Sequence, residues 1–297
     1  MTRLAFLGTP ELAVVALRAL HDAGHDVALV VTAPDRRRGR GGALVATPVK
    51  RCALELAIPV SNLVADVLEA DVELGVVVAF GTLIRAEVLE QVLMVNLHFS
   101  LLPRWRGAAP VERAILAGDE KSGVDLMALD KTLDTGPIYA RVEVPILPGE
   151  TAAELKERLS VIGADLLVER LSGGLATLGT PVPQMGEAVY AAKIDRGELQ
   201  IRWESLAVEL ERLVRIGRAW TTFRGKRLII ERAQVVPGTD SALELNSSVP
   251  GTVVGDTVVC GLGRLQLKLV RPEGRSVQDF DAWRRGARLQ PGELLGA

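Results

Sequence analysis

Asn96 and His98 are the residues whose types and spacing best suit chemistry. They lie in the segment Val95–Phe99, whose apolar residues predict a short buried strand. Because side chains two apart in a strand point to one face, the amide and the imidazole are predicted to lie side by side. An amide can donate to an oxyanion and an imidazole can move a proton near neutral pH, as acyl transfer requires. The alternative is a structural pair whose polar atoms bond to the backbone.

A parallel sheet is the element predicted to position this pair. Leu4–Leu7 reads as a buried strand, a helix with apolar spacing follows Pro10, and Val27–Thr32 reads as the next strand. This β-α-β pattern predicts an α/β fold with a doubly wound, mostly parallel sheet. The continuous apolar run Leu74–Phe80 is typical of a central strand in such a sheet. Ligands bind at the carboxyl ends of these strands, where Gly81–Ile84 follows.

The C-terminal third has a different pattern. Residues 181–202 contain little periodicity and predict a linker between a first domain, residues 1–180, and a second, residues 203–297. After the linker, a helix over Leu206–Ile216 precedes several short strand-like runs separated by glycine turns. Five or so short strands in a small domain predict a β-barrel of the oligonucleotide-binding type, with a small sandwich as the alternative.

Four arginines and three glycines fill the seven positions from Arg36 to Gly42. This composition cannot pack a core and predicts an exposed, irregular, mobile loop whose arginines are available to phosphates. A solvated charged loop without a ligand is the alternative interpretation.

Composition limits the function classes. The net charge is −2, but residues 1–200 carry 20 Lys and Arg against 26 Asp and Glu, whereas residues 201–297 carry 15 against 11. A basic second module suggests a polyanionic partner. Cys52 and Cys260 have no metal-type spacing, which fits a reducing compartment and no metal. The apolar start is too short for a signal peptide, so we expect a cytoplasmic protein.

Several motifs together resemble the methionyl-tRNA formyltransferase family, within the formyltransferase superfamily. In family order, the motifs are Phe6–Pro10, the Arg/Gly stretch followed by Thr47–Lys50, Asn96-X-His98, Ser100–Pro103, Arg104–Pro110 and Leu133–Gly136. The resemblance covers nearly the whole chain, including a basic C-terminal β-domain. Asn-X-His with Leu-Asp-Thr-Gly is specific to the superfamily, and the arginine stretch and Arg104–Pro110 are more specific still.

The resemblance implies a reaction and a set of residue roles. The formyl group of 10-formyltetrahydrofolate would pass to the α-amino group of methionine on initiator tRNA, without a metal. Separately, we expect the chain to be a monomer. Asn96 and His98 would stabilise the oxyanion, and Asp134 would hold His98 and help to take the proton of the amine. The residues implied at the folate site are Phe80, Gly81, Leu83, Ile84, Ser100, Leu101, Leu102 and Pro103. Those implied at the tRNA are Arg36, Arg37, Arg38, Arg40, Arg215, Arg218 and Lys226.

Two rival functions use some of the same features. A sugar-amine or glycinamide-ribotide formyltransferase would share Asn96, His98 and Asp134, but would need neither the arginine stretch nor a basic second domain. A non-catalytic RNA-binding protein could keep the fold, but would not need all three polar side chains.

Overall fold

The computed structural model of the protein describes residues 1–38, 42–238, 249–290 and 292–296. The helices of this part are α1 Glu11–Asp22, α2 Pro48–Glu55, α3 Ala86–Leu89, α4 Pro110–Ala117, α5 Ala152–Leu171, α6 Ala207–Arg215 and α7 Phe280–Gly286, with 3-10 turns at Val64–Glu69 and Gly174–Thr177. Its strands are β1 Arg3–Gly8, β2 Asp26–Val31, β3 Arg36–Arg38, β4 Ala43–Val45, β5 Val60–Ser61, β6 Leu74–Val78, β7 Met94–His98, β8 Arg104–Gly107, β9 Lys121–Ala128, β10 Ile138–Pro145, β11 Val189–Ala191, β12 Trp220–Phe223, β13 Lys226–Val235, β14 Val253–Val254, β15 Thr257–Val259, β16 Arg264–Pro272 and β17 Gln278–Asp279.

The chain divides into two compact units. The first unit comprises Met1–Val111, Lys121–Pro145 and Leu155–Ala192. The second comprises Glu112–Glu120, Ile146–Glu154 and Lys193–Ala297. Among the described residues, none of the helices combines the length and the hydropathy needed to cross a bilayer.

A seven-stranded sheet forms the core of the first unit, in the order β10-β9-β7-β6-β1-β2-β5. The five strands from β7 to β5 are parallel, and β9 and β10 add an antiparallel hairpin at one edge. All five residues of β6 are buried, as the apolar run Leu74–Phe80 predicts. The predicted α/β class with a mostly parallel sheet is confirmed. Because the strand order reverses beside β1, the carboxyl ends of β1, β6 and β7 border the crevice where such sheets bind ligands.

The second unit contains an antiparallel sheet in the order β12-β13-β16-β15-β14, with β17 paired to β16. The core of this unit includes Trp203, Leu210, Ile230, Leu267 and Phe280, all at least 96% buried. The predicted antiparallel β-domain is confirmed, whereas closure into an oligonucleotide-binding barrel stays a prediction.

One local prediction is wrong, and the domain bounds stay a prediction. Arg36–Arg38 is not irregular, because it pairs as β3 with β4 in an antiparallel hairpin whose backbone bonds need no buried core. Gly39 to Gly41 lie outside the described residues. The predicted linker also contains regular structure, since its residues Val189–Ala191 form β11 alongside β8.

Candidate active site

Asn96 and His98 lie at the carboxyl end of β7. The strand pairs with β6 on one side and with β9 on the other, where His98 is opposite Asp125 and Asn96 opposite Met127. Both neighbours are buried strands, so the position of the pair is fixed by the sheet rather than by a loop. Among the described residues no group hydrogen-bonds the side-chain amide of Asn96, which is partly exposed. Its two N–H groups are therefore available to a ligand.

His98 is 5% exposed and contacts protein groups through both ring nitrogens. Its Nε2 lies 2.9 Å from the carbonyl oxygen of Trp105. Since a carbonyl can only accept, Nε2 carries the hydrogen in this arrangement. Its Nδ1 lies 3.6 Å from Oδ2 of Asp134, which is an ion-pair distance but too long for a hydrogen bond. The imidazole thus lies between a carbonyl and a carboxylate.

Asp134 reaches His98 from a tight loop after β9. Its Oδ2 accepts a hydrogen bond of 2.8 Å from the backbone N–H of Gly107, which fixes the carboxylate. The Asp134 backbone is left-handed, with φ of 51°. Two residues later, a Cβ at Gly136 would lie 1.9 Å from the carbonyl oxygen of Ala128, so only glycine fits there. Steric contact with Ala128 therefore explains why the Leu-Asp-Thr-Gly motif ends in glycine.

The segment from Ser100 to Pro103 is tied to the protein by its polar groups. The Ser100 hydroxyl donates to the carbonyl of Arg104 at 2.7 Å. The Leu102 N–H donates to Oδ2 of Asp125 at 2.8 Å, and the same carboxylate accepts two hydrogen bonds from Arg141. Ser100 and Leu102 are both at least 98% buried, whereas Leu101 and Pro103 are partly exposed. The exposed members of this segment are the ones that can touch a ligand.

Asp125 is completely buried, and its charge is balanced by Arg141. Desolvation raises the pKa of the Asp125 carboxyl, and the hydrogen bonds from Arg141 oppose that increase. The same hydrogen bonds raise the pKa of Arg141, which therefore stays charged. The pair holds the backbone of Leu102 at both polar groups, because Asp125 accepts from its N–H and Arg141 donates to its carbonyl.

The predicted folate residues Phe80 to Ile84 follow β6 at the carboxyl edge of the sheet. Phe80 is buried, whereas Leu83 is 82% exposed and Ile84 is partly exposed. A surface cavity of about 380 Å³ lies beside them, lined by Leu83, Ile84, Arg85, Ala86, Glu87 and Lys131. Neither His98 nor Asp134 lines this cavity. An exposed apolar side chain beside polar groups suits a flat, partly polar ring such as a pterin.

Gln184 is a residue of this site that the sequence reasoning missed. Its side-chain amide donates to the carbonyls of Asp134 and Gly136, both at 2.8 Å. Its Oε1 accepts from Arg106. The Gln lies in the predicted linker, where nothing in the local pattern distinguishes it from a surface residue. The sequence does not identify Asp125 either, because its pairing with Arg141 depends on the register of β9 and β10.

The cations predicted to bind tRNA differ in how they are placed. Arg36 and Arg37 are exposed on the β3–β4 hairpin, and Arg40 lies outside the described residues. Arg218 and Lys226 are exposed in the second unit. Arg215 is different, because its guanidinium donates to the Glu150 carbonyl at 2.8 Å and its side chain is 15% exposed. A structural contact already occupies part of that guanidinium.

Comparison with known proteins agrees with the fold and the motifs. Residues 2–171 match the formyl transferase family, and residues 193–288 match the formyl transferase C-terminal domain. The chain belongs to the formyl transferase family. A methionyl-tRNA formyltransferase of Symbiobacterium thermophilum is 41% identical over 98% of this chain and 94% of its own. One from Gluconacetobacter diazotrophicus is 40% identical over 99% of this chain and the whole of its own.

Solved structures of the family have the same fold at much lower identity. The methionyl-tRNA formyltransferase from Clostridium thermocellum superposes with a TM-score of 0.60 at 18% identity, over 80% of this chain and 95% of that one. An N-formyltransferase from Helicobacter canadensis gives a TM-score of 0.68 at 17% identity, over 90% and 99% of the two chains. At this level of identity the match supports the fold, and the assignment to the family depends on the sequence matches.

Proposed function

We propose that the protein transfers the formyl group of 10-formyltetrahydrofolate to the α-amino group of methionyl initiator tRNA, for translation initiation. The observation that carries the proposal is the approach of the Asp134 carboxylate to His98 at the carboxyl end of β7, two residues after an unbonded Asn96 amide. Relatives named methionyl-tRNA formyltransferase, about 40% identical over nearly the full chain, support the choice of substrate.

Asn96 and His98 stabilise the negative charge that develops on the formyl oxygen when the amine attacks. The Asn96 amide has both N–H groups available for this bond. The Nε2–H of His98 donates to Trp105 before substrate binds, so this hydrogen is shared with or released from that carbonyl as the oxyanion forms. Donors already aimed at a developing charge lower the barrier without reorganisation of water.

Asp134 helps to take the proton of the attacking amine. The amine forms a C–N bond to the formyl carbon and loses one proton to the His98–Asp134 pair, directly or through a water, and the proton comes to lie on Nδ1 of His98. The bond between the formyl carbon and N10 then breaks, and N10 takes up a proton, so the transfer is balanced. The Asp134 carboxylate, held by the Gly107 N–H and 3.6 Å from Nδ1, helps to take this proton by stabilising the positive charge that it places on His98.

The folate binds along the crevice between the two predicted walls. Leu83 and Ile84 offer apolar contact to the pterin, Phe80 and Gly81 shape the loop beneath them, and the segment from Ser100 to Pro103 lines the opposite side. These residues fit the group because an exposed apolar side chain and an unbonded amide face the same edge of the sheet.

We assign the cationic side chains predicted at the tRNA to contacts with its phosphates. On this proposal Arg36, Arg37, Arg38 and Arg40 hold the acceptor end, while Arg215, Arg218 and Lys226 hold the backbone further away. The catalytic part occupies residues 1–180, and the tRNA-binding part, with an oligonucleotide-binding type of sheet, occupies 203–297. The protein works as a monomer in the cytoplasm, and neither part needs a metal.

A parallel assay tests the function. The purified protein is incubated with 10-formyltetrahydrofolate and either methionyl initiator tRNA, uncharged tRNA or an amino sugar nucleotide, and the formylated product is identified by mass. We expect product only from the methionyl tRNA. Asn96→Ala is expected to reduce the rate about 100- to 1000-fold, as loss of one oxyanion donor does. Product from the amino sugar, and none from the tRNA, would refute the proposal.

A further inference from the structure

We propose that Gln184 is a positioning residue that fixes Asp134 against His98, and that the segment 182–191 exists to hold it there. This inference rests on the proposed role of Asp134 in catalysis. Gln184 touches no reacting atom, so its effect passes entirely through the loop 133–136. It lies in a stretch, residues 172–192, that matches neither part of the family.

The side-chain amide of Gln184 uses both of its N–H groups on one loop. They bond the carbonyls of Asp134 and Gly136, each at 2.8 Å. These two carbonyls flank the turn that aims the Asp134 side chain. A donor that bonds both of them fixes the turn as a unit, whereas a single bond would leave it free to pivot.

The loop needs such a contact because little else holds it. Asp134 has a φ of 51°, a left-handed conformation that Asp adopts occasionally when local hydrogen bonds support it. The flanking Leu133 is 63% exposed, Thr132 is exposed, and Thr135 is partly exposed. Without apolar packing, hydrogen bonds are the main source of order in the turn. Among the described residues, the two Gln184 bonds and the Gly107 N–H bond to the carboxylate are the hydrogen bonds that connect residues 133–136 to other segments.

Gln184 also connects the Asp134 loop to the loop that contacts His98. Its Oε1 accepts from Nε and a terminal nitrogen of Arg106, at 3.1 and 2.6 Å. Arg106 lies in β8 between Trp105, whose carbonyl bonds His98, and Gly107, whose N–H bonds Asp134. One side chain thus joins the segments that carry both partners of the imidazole.

The segment 182–191 is anchored on both sides of Gln184. Before it, Val182 and Ile138 exchange two backbone bonds of 2.8 Å. After it, Val189 donates to the Pro103 carbonyl, and β11 pairs with β8. The Ala191 carbonyl then accepts from the N–H groups of Ala108 and Ala109, at 2.9 and 3.2 Å. Because both ends are fixed, the position of the Gln184 amide is fixed as well.

Two substitutions separate the donor from the acceptor of this side chain. Gln184→Met removes both contacts, whereas Gln184→Glu keeps an acceptor for Arg106 and loses the two N–H donors. We expect both variants to lower kcat for formyl transfer to methionyl tRNA by about 10- to 100-fold, the range expected when a catalytic group is displaced by about 1 Å. The KM for the folate is expected to stay within about threefold, because Gln184 does not line the proposed folate walls.

The decisive measurement combines Gln184→Met with Asp134→Asn. If Gln184 acts only by positioning the carboxylate, its substitution lowers kcat less than about twofold once that carboxylate is gone. Gln91→Met is the matched control, because the Gln91 amide bonds a single carbonyl of its own helical turn, at 3.0 Å. Its kcat is expected to equal that of the wild type.

Several results would overturn the inference. They are a kcat for Gln184→Met within threefold of wild type, losses that multiply fully with Asp134→Asn, or wild-type activity in Gln184→Glu alone. The last result would assign the role to the Arg106 contact. Thermal unfolding of each variant distinguishes a folding defect, and kcat is calculated per folded molecule. Failure of the wild-type protein to formylate methionyl tRNA would refute the proposed function instead, so the two failures are distinguishable.

Discussion

Asp134→Asn tests whether the charge next to His98 drives the reaction. The variant keeps the size of the side chain, and its carbonyl oxygen can still accept from the Gly107 N–H. It removes the negative charge that lies 3.6 Å from Nδ1 of His98. The new amide can also donate to that nitrogen, which favours the neutral ring over the cation that the transition state requires.

The distance sets the size of the effect. Two unit charges 3.6 Å apart attract by roughly 4 to 5 kcal/mol at an effective dielectric constant of about 20. Water screens this pair little, because the side chains of His98 and Asp134 are 6% and 10% exposed. If most of the attraction develops only in the transition state, its loss lowers the rate about 1000-fold. A replacement of the same kind in a serine protease triad lowers kcat about 10,000-fold, which is a similar scale.

Single-turnover formylation of methionyl tRNA by excess enzyme measures the chemical step directly. We expect Asp134→Asn to be about 1000-fold slower than wild type, with little change in the concentration of folate that gives half the maximal rate. Asp130→Asn is the matched control, because Asp130 is exposed and, within the described part of the chain, its side chain bonds only the adjacent Lys131 N–H. Asp130→Asn should react at the wild-type rate. A rate for Asp134→Asn within tenfold of wild type would refute the electrostatic role of this carboxylate.

Two further predictions concern stability. Asp125→Ala removes the acceptor of the Leu102 N–H and of Arg141, and urea titration should show a loss of about 2 to 4 kcal/mol in the free energy of unfolding. We expect the lower end of this range, because the arginine side chain is 40% exposed and water can reach it. An unchanged urea midpoint would contradict this prediction. The hydrogen bond from Arg232 lowers the pKa of the Glu154 carboxyl to about 2. The wild type should therefore be more stable than Glu154→Gln above about pH 4.5, and it should lose that advantage as the pH falls toward 2. Exposure limits the difference to about 1 kcal/mol at pH 7, and a difference that grows on acidification would contradict the assignment.

Much of the site follows from short-range patterns in the sequence. The strand period places Asn96 and His98 together, and the apolar run of β6 predicts a central parallel strand. The spacing of Thr151 and Glu154 predicts a helix start, and the two residues bond each other reciprocally there. These features are predictable because each depends on residues a few positions apart.

The remaining features depend on contacts between distant segments. Asp125 and Arg141 are 16 residues apart and become partners only through the register of two strands. Gln184 is 50 residues from Asp134 and lies in a segment without periodicity. The arginine-rich stretch was predicted irregular from its composition, but a hairpin needs only backbone pairing, which composition does not report.

The pairing of β11 with β8 affects how the first unit can be produced by itself. A truncated gene that stops at Leu171, where the match to the first part of the family ends, would remove β11 and leave β8 as an unpaired edge strand. It would also leave the Asp134 and Gly136 carbonyls without their donor. Stopping after Ala192 retains both contacts, so the twenty-one codons between these points determine whether a shortened enzyme keeps an ordered site.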